Sequence, residues 1–177
     1  DAIGIPGFLE MAHRFGLTTL ADAEGYGLSL ALGAGEVRLL DLTAAYAAIG
    51  AAGSYAAPFA IARVRASDGT VLYEHGATAP RQVISPAHAY ILADILDDPD
   101  ARVPGFGQVT PLEPAFPAAA KTGTTTGFRD NWTLGFTASF AVGVWVGNAD
   151  NRPMREVSGV DGAGPIWRDV MAAAAMS

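Results

Sequence analysis

Apolar residues recur at the spacing of an α-helix in four stretches of the chain: 5–15, 36–49, 85–98 and 165–171. Three of these stretches have a proline in the first turn, where its missing N–H costs no hydrogen bond, and glycine or proline follows the first three. Ser85 precedes one of these prolines, the order expected of an N-cap residue and the first helical residue. The pattern therefore predicts four helices.

An alternating pattern, typical of a strand, first appears at 59–65 and returns at 70–74. Between these stretches lies Ser67-Asp68-Gly69, whose residue types favour a tight turn. The combination predicts a β-hairpin.

Three further strand-like runs, 118–124, 131–137 and 140–147, lie in the second half of the chain. The last two are separated by a tight turn, which predicts that they pair antiparallel. Residues 99–117 precede the first run and hold five of the eleven prolines. We expect this segment to be a long, mobile loop without secondary structure of its own, and Pro99 to stop the helix before it.

The order of these elements predicts the fold class. Helices come before an antiparallel sheet and one more helix follows it, which is typical of an α/β or α+β domain. The three tryptophans are predicted to lie in the core between the sheet and the last helix; they are Trp132, Trp145 and Trp167.

The composition is that of a folded chain with a sizeable core. Of 177 residues, 50% are apolar and 16% are charged, which excludes disorder. The length suits one ordinary domain or one large piece of a bigger one. No apolar stretch reaches the roughly 18 residues of a membrane helix. Because the chain begins at Asp1 without an initiator methionine, we expect it to be a piece of a longer protein.

Charge and residue counts exclude several functions. The net charge is −7 and no basic run occurs, so we expect no nucleic-acid partner. The absence of cysteine excludes disulfides, thiolate metal sites and a cysteine nucleophile. The three histidines lack metal-ligand spacing, so neither a metal nor another cofactor is expected. Asp97, Asp98 and Asp100 are interpreted as a helix end entering a solvated loop rather than as a cation site.

The candidate site is Lys121-Thr122-Gly123-Thr124, at the end of an alanine-rich strand. Lys121 is the single lysine among eleven basic residues, which suggests a position where arginine would not serve. A lysine beside two hydroxyls can attract and hydrogen-bond a carboxylate. Gly123 would let a ligand approach the backbone, and the N–H of Thr124 could donate to a developing oxyanion.

Two other interpretations of these residues are a phosphate-binding loop and a plain strand with a solvated lysine. A phosphate-binding loop needs glycine directly before the lysine, and here Ala120 stands there. The phosphate loop is therefore excluded. From the tripeptide alone, a plain strand with a solvated lysine stays open.

The residues around the candidate site resemble a known family. The stretch 118–132, the run Val142-Gly143-Val144-Trp145-Val146-Gly147-Asn148, the pair Ser158-Gly159 and Pro165-Ile166-Trp167 are similar to the transpeptidase domain of penicillin-binding proteins, most closely the bifunctional class A kind. Upstream, residues 32–53 look like the helix that precedes the family's hairpin. The resemblance covers essentially the whole chain and is most specific from 121 to 167.

This resemblance implies the penicillin-binding-protein and serine β-lactamase-like fold, with the whole chain, 1–177, as the C-terminal part of the transpeptidase domain. It implies a D,D-transpeptidase that forms an acyl-serine enzyme on D-Ala-D-Ala stem peptides of peptidoglycan and is inhibited by β-lactams. Lys121 would orient a serine of the family's middle motif and place positive charge near the donor carboxylate. Thr122 and Thr124 would bind that carboxylate, Gly123 would give access, and the Thr124 N–H would be one arm of the oxyanion hole.

The resemblance also implies partners and a location. We expect the missing N-terminal part of the transpeptidase domain, and a glycosyltransferase domain before it, as covalent neighbours of this chain. We expect the protein on the extracytoplasmic face of the bacterial cell membrane, in the periplasm, anchored by an N-terminal membrane helix outside this chain.

The family has three signatures, which are Ser-x-x-Lys, Ser-x-Asn and Lys-Thr-Gly. Only the third, Lys-Thr-Gly, occurs in this sequence. None of the seven serines has lysine three positions later, and Ser67-Asp68 is interpreted as a hairpin turn rather than as a form of the second signature. We therefore expect the nucleophile before Asp1 and expect this chain alone to be inactive. The alternatives are a non-catalytic penicillin-binding-like module and a D,D-carboxypeptidase or β-lactamase relative.

Overall fold

The computed structural model of the chain describes residues 3–21, 23–76 and 78–176. The helices are α1 (Gly4–Arg14), α2 (Leu39–Gly50), α3 (Pro86–Asp97), α4 (Pro99–Phe106) and α5 (Ala163–Ala174), with short 3₁₀ helices at Ala23–Gly25 and Leu28–Leu32. The strands are β1 (Ser54–Tyr55), β2 (Arg63–Arg65), β3 (Val71–Glu74), β4 (Arg81–Gln82), β5 (Ala119–Thr124), β6 (Asp130–Phe136) and β7 (Ala141–Gly147). No helix among the described residues is long and apolar enough to cross a bilayer.

The main sheet has three antiparallel strands in the order β5-β6-β7. Its register places Lys121 opposite Leu134, and Leu134 opposite Gly143. The three predicted strands and their antiparallel pairing are confirmed to within one residue at each end. Within the described ranges, β5 is an edge of this sheet.

One face of the sheet is covered by α5. Trp167 and Met171, both fully buried, pack with Leu112, Ala118 and Ala120 into one core cluster. Since opposite residues of a ladder share a face, this is the face of the even-numbered residues of β5. Gly135, opposite Ala120, leaves room for the indole, because a Cβ there would lie 2.3 Å from Trp167 Cζ2.

The prediction that all three tryptophans lie in the core is wrong for two of them. Trp132 and Trp145 are directly opposite each other on the face away from α5. Trp145 is 37% exposed and its indole N–H donates to Asp130 Oδ1 at 2.9 Å. Period-two alternation places these residues on the opposite face from the one that Trp167 covers.

The other face of the sheet is covered by α2. Thr43 of α2 lies close against Gly143, whose missing side chain allows the contact, since a Cβ there would lie 2.1 Å from Thr43 Oγ1. Tyr46 packs edge to face on Phe136 with ring centroids 6.3 Å apart. Burial raises the pKa of the Tyr46 hydroxyl. The mixed class predicted from the sequence, with helices on an antiparallel sheet, is confirmed.

The hairpin predicted at 59–74 is observed as β2 and β3, a two-stranded sheet separate from the main one. Gly69 adopts φ +88 in the turn, a left-handed conformation that glycine takes without strain. The Asp68 side chain accepts the Thr70 N–H at 2.9 Å, and this backbone hydrogen bond, with one from the Thr70 side chain, lowers the pKa of the Asp68 carboxyl.

The prediction of a structureless loop at 99–117 is wrong for its first half, which forms α4. Asp98 ends α3 in an extended conformation and its side chain then accepts the N–H of Ala101 at 3.0 Å, while Pro99 is the first residue of α4. Because the residue before a proline avoids helical backbone, α3 stops before Asp98. Asp98 followed by Pro99 is at the same time a favourable helix start, with an N-cap residue and a proline as the first helical residue. Pro104 falls within α4.

Candidate functional site

The four candidate residues lie in β5, at the open edge of the main sheet. The N–H of Thr125 donates to the carbonyl of Asp130 at 3.1 Å, so this pair is hydrogen-bonded. Because hydrogen-bonded and non-bonded pairs alternate along an antiparallel ladder, the pairs Thr124–Asn131 and Thr122–Thr133 are non-bonded. The N–H of Thr124 and the carbonyl of Thr122 therefore point away from β6, toward the open edge.

Lys121 is exposed on the face opposite to α5. Its ammonium folds over the open edge and donates to the carbonyl of Thr122 at 2.6 Å. In the described chain the edge thus carries, within four consecutive residues, a cation and an outward backbone donor.

Thr122 and Thr124 have their side chains on the α5 face, like Ala120. Thr122 is half-buried and Thr124 is exposed. The Thr124 Oγ1 accepts the N–H of Gly159 at 2.8 Å. Since a hydroxyl has one proton and two lone pairs, Thr124 keeps its own proton for another acceptor.

Gly123 is not required by the packing of the described chain. A Cβ there would lie 3.5 Å from the Cβ of Trp132, an ordinary contact. The interpretation that this glycine gives access to a ligand stays a prediction.

The turn after the motif is held by Asp130 of β6 and by Met154. The hydroxyl of Thr125 accepts the N–H of Asp130 at 2.8 Å and donates to Asp130 Oδ2 at 3.1 Å. Phe128 follows Gly127 with φ +55, a conformation that is rare for a bulky residue, and its carbonyl accepts the N–H of Met154 at 2.9 Å. The connection between β5 and β6 is therefore fixed at both ends.

Other residues considered from the sequence lie away from this edge. Ser67 belongs to the turn of the separate hairpin, as its turn interpretation predicts. Asp98 is a helix cap rather than a cation ligand. His13 and His88 contact Leu20 and Ser85 respectively, and His75 stacks on Phe59. Among residues 3–21, 23–76 and 78–176, no group of three His, Asp or Glu side chains is arranged to hold a metal.

Sequence reasoning missed the residues beneath β5. Asn131 and Thr133 of β6 are fully buried and donate to the carbonyls of Val157 and Gly159, at 2.7 and 3.0 Å. The alternation of polar Asn131 and Thr133 with apolar Trp132 and Leu134 was the available signal. In the sequence, the pair Ser158-Gly159 carries a signal only through the resemblance to the family.

Comparisons with known proteins identify relatives of this chain. No protein-family model matches the chain. Penicillin-binding protein 1A of Clostridium acetobutylicum is 33% identical over 174 residues, which are 97% of this chain and 21% of that protein. Penicillin-binding protein 1A of Aquifex aeolicus is 33% identical over 181 residues, covering 97% of this chain and 23% of that protein. The chain thus spans less than a quarter of the length of these curated relatives.

The fold is shared with a solved structure. The PonA1 protein from Mycobacterium tuberculosis, in complex with penicillin V, matches with a TM-score of 0.76 and 26% identity over 95% of this chain and 49% of that one. The two 1A relatives match nearly the whole chain. The chain is therefore homologous over nearly its whole length to part of the class A penicillin-binding proteins, and it has the fold of their transpeptidase domains.

Proposed function

We propose that this chain forms the Lys-Thr-Gly side of a serine D,D-transpeptidase site, and that the intact protein cross-links peptidoglycan stem peptides. The observation that carries the proposal is the edge of β5, where four consecutive residues carry the Lys121 ammonium over the Thr122 carbonyl, the Thr122 and Thr124 side chains and the outward Thr124 N–H. Residues 1–177 are then the C-terminal part of the transpeptidase domain, and the serine nucleophile belongs to polypeptide that precedes it.

The first role of this edge is to hold the C-terminal carboxylate of a D-Ala-D-Ala peptide. The Lys121 ammonium supplies positive charge, and the hydroxyls of Thr122 and Thr124 donate to the carboxylate oxygens. A hydrogen bond to a charged group is worth roughly 1.5–3 kcal/mol. Lys121 is exposed. Its second task in this proposal is to orient a serine of the middle motif, in the part of the domain outside this chain, for proton transfer.

The second role is to stabilise the transition state. The serine Oγ attacks the carbonyl between the two D-alanines, the carbonyl oxygen becomes an oxyanion, and the Thr124 N–H donates to it. The terminal D-alanine leaves with a proton on its amine, and an acyl-enzyme remains. The amine of a second stem peptide then attacks the ester, forms the cross-link and releases the serine. A β-lactam enters the same first step, but its leaving amine stays tethered.

The location and covalent partners follow from this function. The substrate is a cell-wall peptide, so we place the protein on the extracytoplasmic face of the bacterial membrane, in the periplasm, with an N-terminal membrane helix as its anchor. A glycosyltransferase domain between that anchor and the transpeptidase domain would supply the glycan strands that carry the stem peptides.

The test uses the full-length protein and a reporter penicillin, with intact mass and labelling rate as readouts. We expect one covalent adduct per protein, with a labelling rate that falls at least a hundredfold in Lys121→Gln. Arg168→Gln removes a matched exposed cation from α5, where it pairs with Asp169, and should leave the rate unchanged.

Adding an acceptor amine to a D-Ala-D-Ala donor separates the alternatives. A cross-linked product supports the transpeptidase. Release of the acyl group to water alone would support a carboxypeptidase or β-lactamase relative instead. The absence of any adduct on the full-length protein would overturn the proposal and leave a non-catalytic binding module.

A further inference from the structure

Residues 157–159 lie against the α5 face of β5 and β6, and three hydrogen bonds between described residues join them to these two strands. Asn131 Nδ2 donates to the Val157 carbonyl at 2.7 Å, and Thr133 Oγ1 donates to the Gly159 carbonyl at 3.0 Å. The third bond runs from the Gly159 N–H to Thr124 Oγ1 at 2.8 Å. The segment therefore joins the buried middle of β6 to the exposed threonine of β5.

The approach of this segment to the strand backbone is so close that only glycine fits. A Cβ on Gly159 would lie 2.5 Å from the Gly123 carbonyl oxygen and 2.8 Å from that of Trp132. Both obstacles are backbone atoms of the paired strands and cannot move alone. Gly159 thus rests directly beneath the Lys-Thr-Gly motif.

The two side chains that hold the segment have no exposure to solvent. Thr133 and Asn131 are each 0% exposed. An apolar side chain would fill the same space without a polar group to desolvate, so a buried threonine hydroxyl needs a hydrogen-bond partner. Any nearby carbonyl could accept this hydrogen bond, but here the acceptor is Gly159, whose N–H donates to Thr124.

The bond from Gly159 determines how Thr124 can act. Because one lone pair of Oγ1 accepts the Gly159 N–H, the rotation of the hydroxyl is restricted and its proton is left to be donated. Accepting a hydrogen bond also strengthens a hydroxyl as a donor. Thr124 is exposed, so an anionic group at the edge of β5 can receive that proton.

We propose that Gly159 and Thr133 are positioning residues that set Thr124 as a hydrogen-bond donor to the carboxylate of the ligand. This inference rests on the proposed function, since it names how that site recognises a carboxylate. Thr133 does not touch the ligand; it acts through the Gly159 carbonyl, and Gly159 acts through its N–H on Thr124.

The experiment compares two penicillins on the full-length protein, one with its free carboxylate and one as the methyl ester, by their second-order acylation rates. Thr133→Val keeps the side-chain shape and removes the hydroxyl. We expect it to reduce the ratio of acid rate to ester rate by about tenfold, the order expected for one hydrogen bond to a charged group. Thr133→Ser keeps the hydroxyl and should restore the ratio.

Two controls separate positioning from structure. Thr43→Val also removes a hydroxyl that donates to a backbone carbonyl, that of Leu39 at 2.7 Å, but on the other face of the sheet, and should leave the ratio unchanged. Thr124→Val should reduce the ratio itself, and adding Thr133→Val to it should reduce the ratio no further, because coupled residues are not additive.

A second measurement does not depend on the folding of Thr133→Val. In full-length Thr124→Val the Gly159 amide loses its acceptor, so its hydrogen exchange should become about tenfold faster. Unchanged exchange, or equal losses of the acid and ester rates in Thr133→Val, would overturn the inference while leaving the transpeptidase intact. A wild-type protein that no penicillin acylates would overturn both.

Discussion

Gly159→Ala is the substitution for which the structure allows the most direct calculation. The new Cβ would lie 2.5 Å from the Gly123 carbonyl oxygen, whereas ordinary contacts begin at 3.4 Å. The segment must therefore withdraw from β5 by about 0.9 Å. If the Gly159 amide moves with it, its distance to Thr124 Oγ1 grows from 2.8 Å to about 3.7 Å, which is too long for a hydrogen bond.

Two consequences of this displacement can be measured. Overpacking of this kind typically costs about 1–3 kcal/mol of unfolding free energy. The loss of an oriented donor to a carboxylate is worth roughly 1.5–3 kcal/mol, so acylation by a penicillin with a free carboxylate should fall about 10- to 100-fold. The assay is the second-order rate with a fluorescent penicillin, on full-length protein shown to be folded by thermal unfolding.

Gly105→Ala is the matched control. Gly105 lies in α4, before the strand that carries the motif, and a Cβ there would meet nothing within 4 Å. Alanine also favours a helix over glycine by about 1 kcal/mol, so this variant should be at least as stable as the wild type. A folded Gly159→Ala protein that is acylated within about threefold of the wild-type rate would refute the reasoning.

Two further predictions concern the motif itself, and a third concerns the nucleophile. Lys121→Arg keeps the charge but replaces a compact ammonium, which can release a proton, by a broad guanidinium, which cannot. The acylation rate should therefore fall by roughly 10²–10³-fold. A rate within about threefold of wild type would show that charge alone suffices. Thr122→Ala removes one donor while Thr124 and Lys121 remain, so in the same assay it should cost less, roughly tenfold. The 177-residue chain alone has no Ser-x-x-Lys, so its intact mass should be unchanged by a reporter penicillin; a stoichiometric gain would contradict the placement of the nucleophile outside it.

The local elements could be predicted because their signals are local. The alternating runs of the main sheet, the Asp68-Gly69 turn and the cap formed by Ser85 each depend on neighbouring residues, and each is observed. The motif was placed on its strand for the same reason.

The helix α4 was missed although the same logic would have found it. Ser85-Pro86 was interpreted as a helix start, and Asp98-Pro99 has the same chemistry, but the prolines that follow it suggested a loop. A proline near the last turn of a helix removes only one internal hydrogen bond. Counting prolines without their positions led to the error.

The support of Thr124 by residues 157–159 could not be predicted, because it depends on contacts between distant positions. Gly159 is 35 residues from Thr124 and 26 from Thr133 in the chain. A glycine required by a close approach looks, in sequence, like a glycine in any loop. The same limit applies to the tryptophans, since the face that becomes the core is decided by where α5 packs.

The open edge of β5 has a consequence for the behaviour of the protein in solution. Outward N–H and carbonyl groups on an edge strand are a template for pairing with another chain, and a charged side chain on the edge, lysine above all, opposes such pairing. Lys121 is placed to do this at the motif itself, with its ammonium over the Thr122 carbonyl. Neutral substitutions there should therefore promote self-association and aggregation. Arginine keeps the edge charged, so Lys121→Arg should not promote this association. Once the variant is shown to be monomeric, its loss of activity can be assigned to the catalytic role of the ammonium rather than to aggregation.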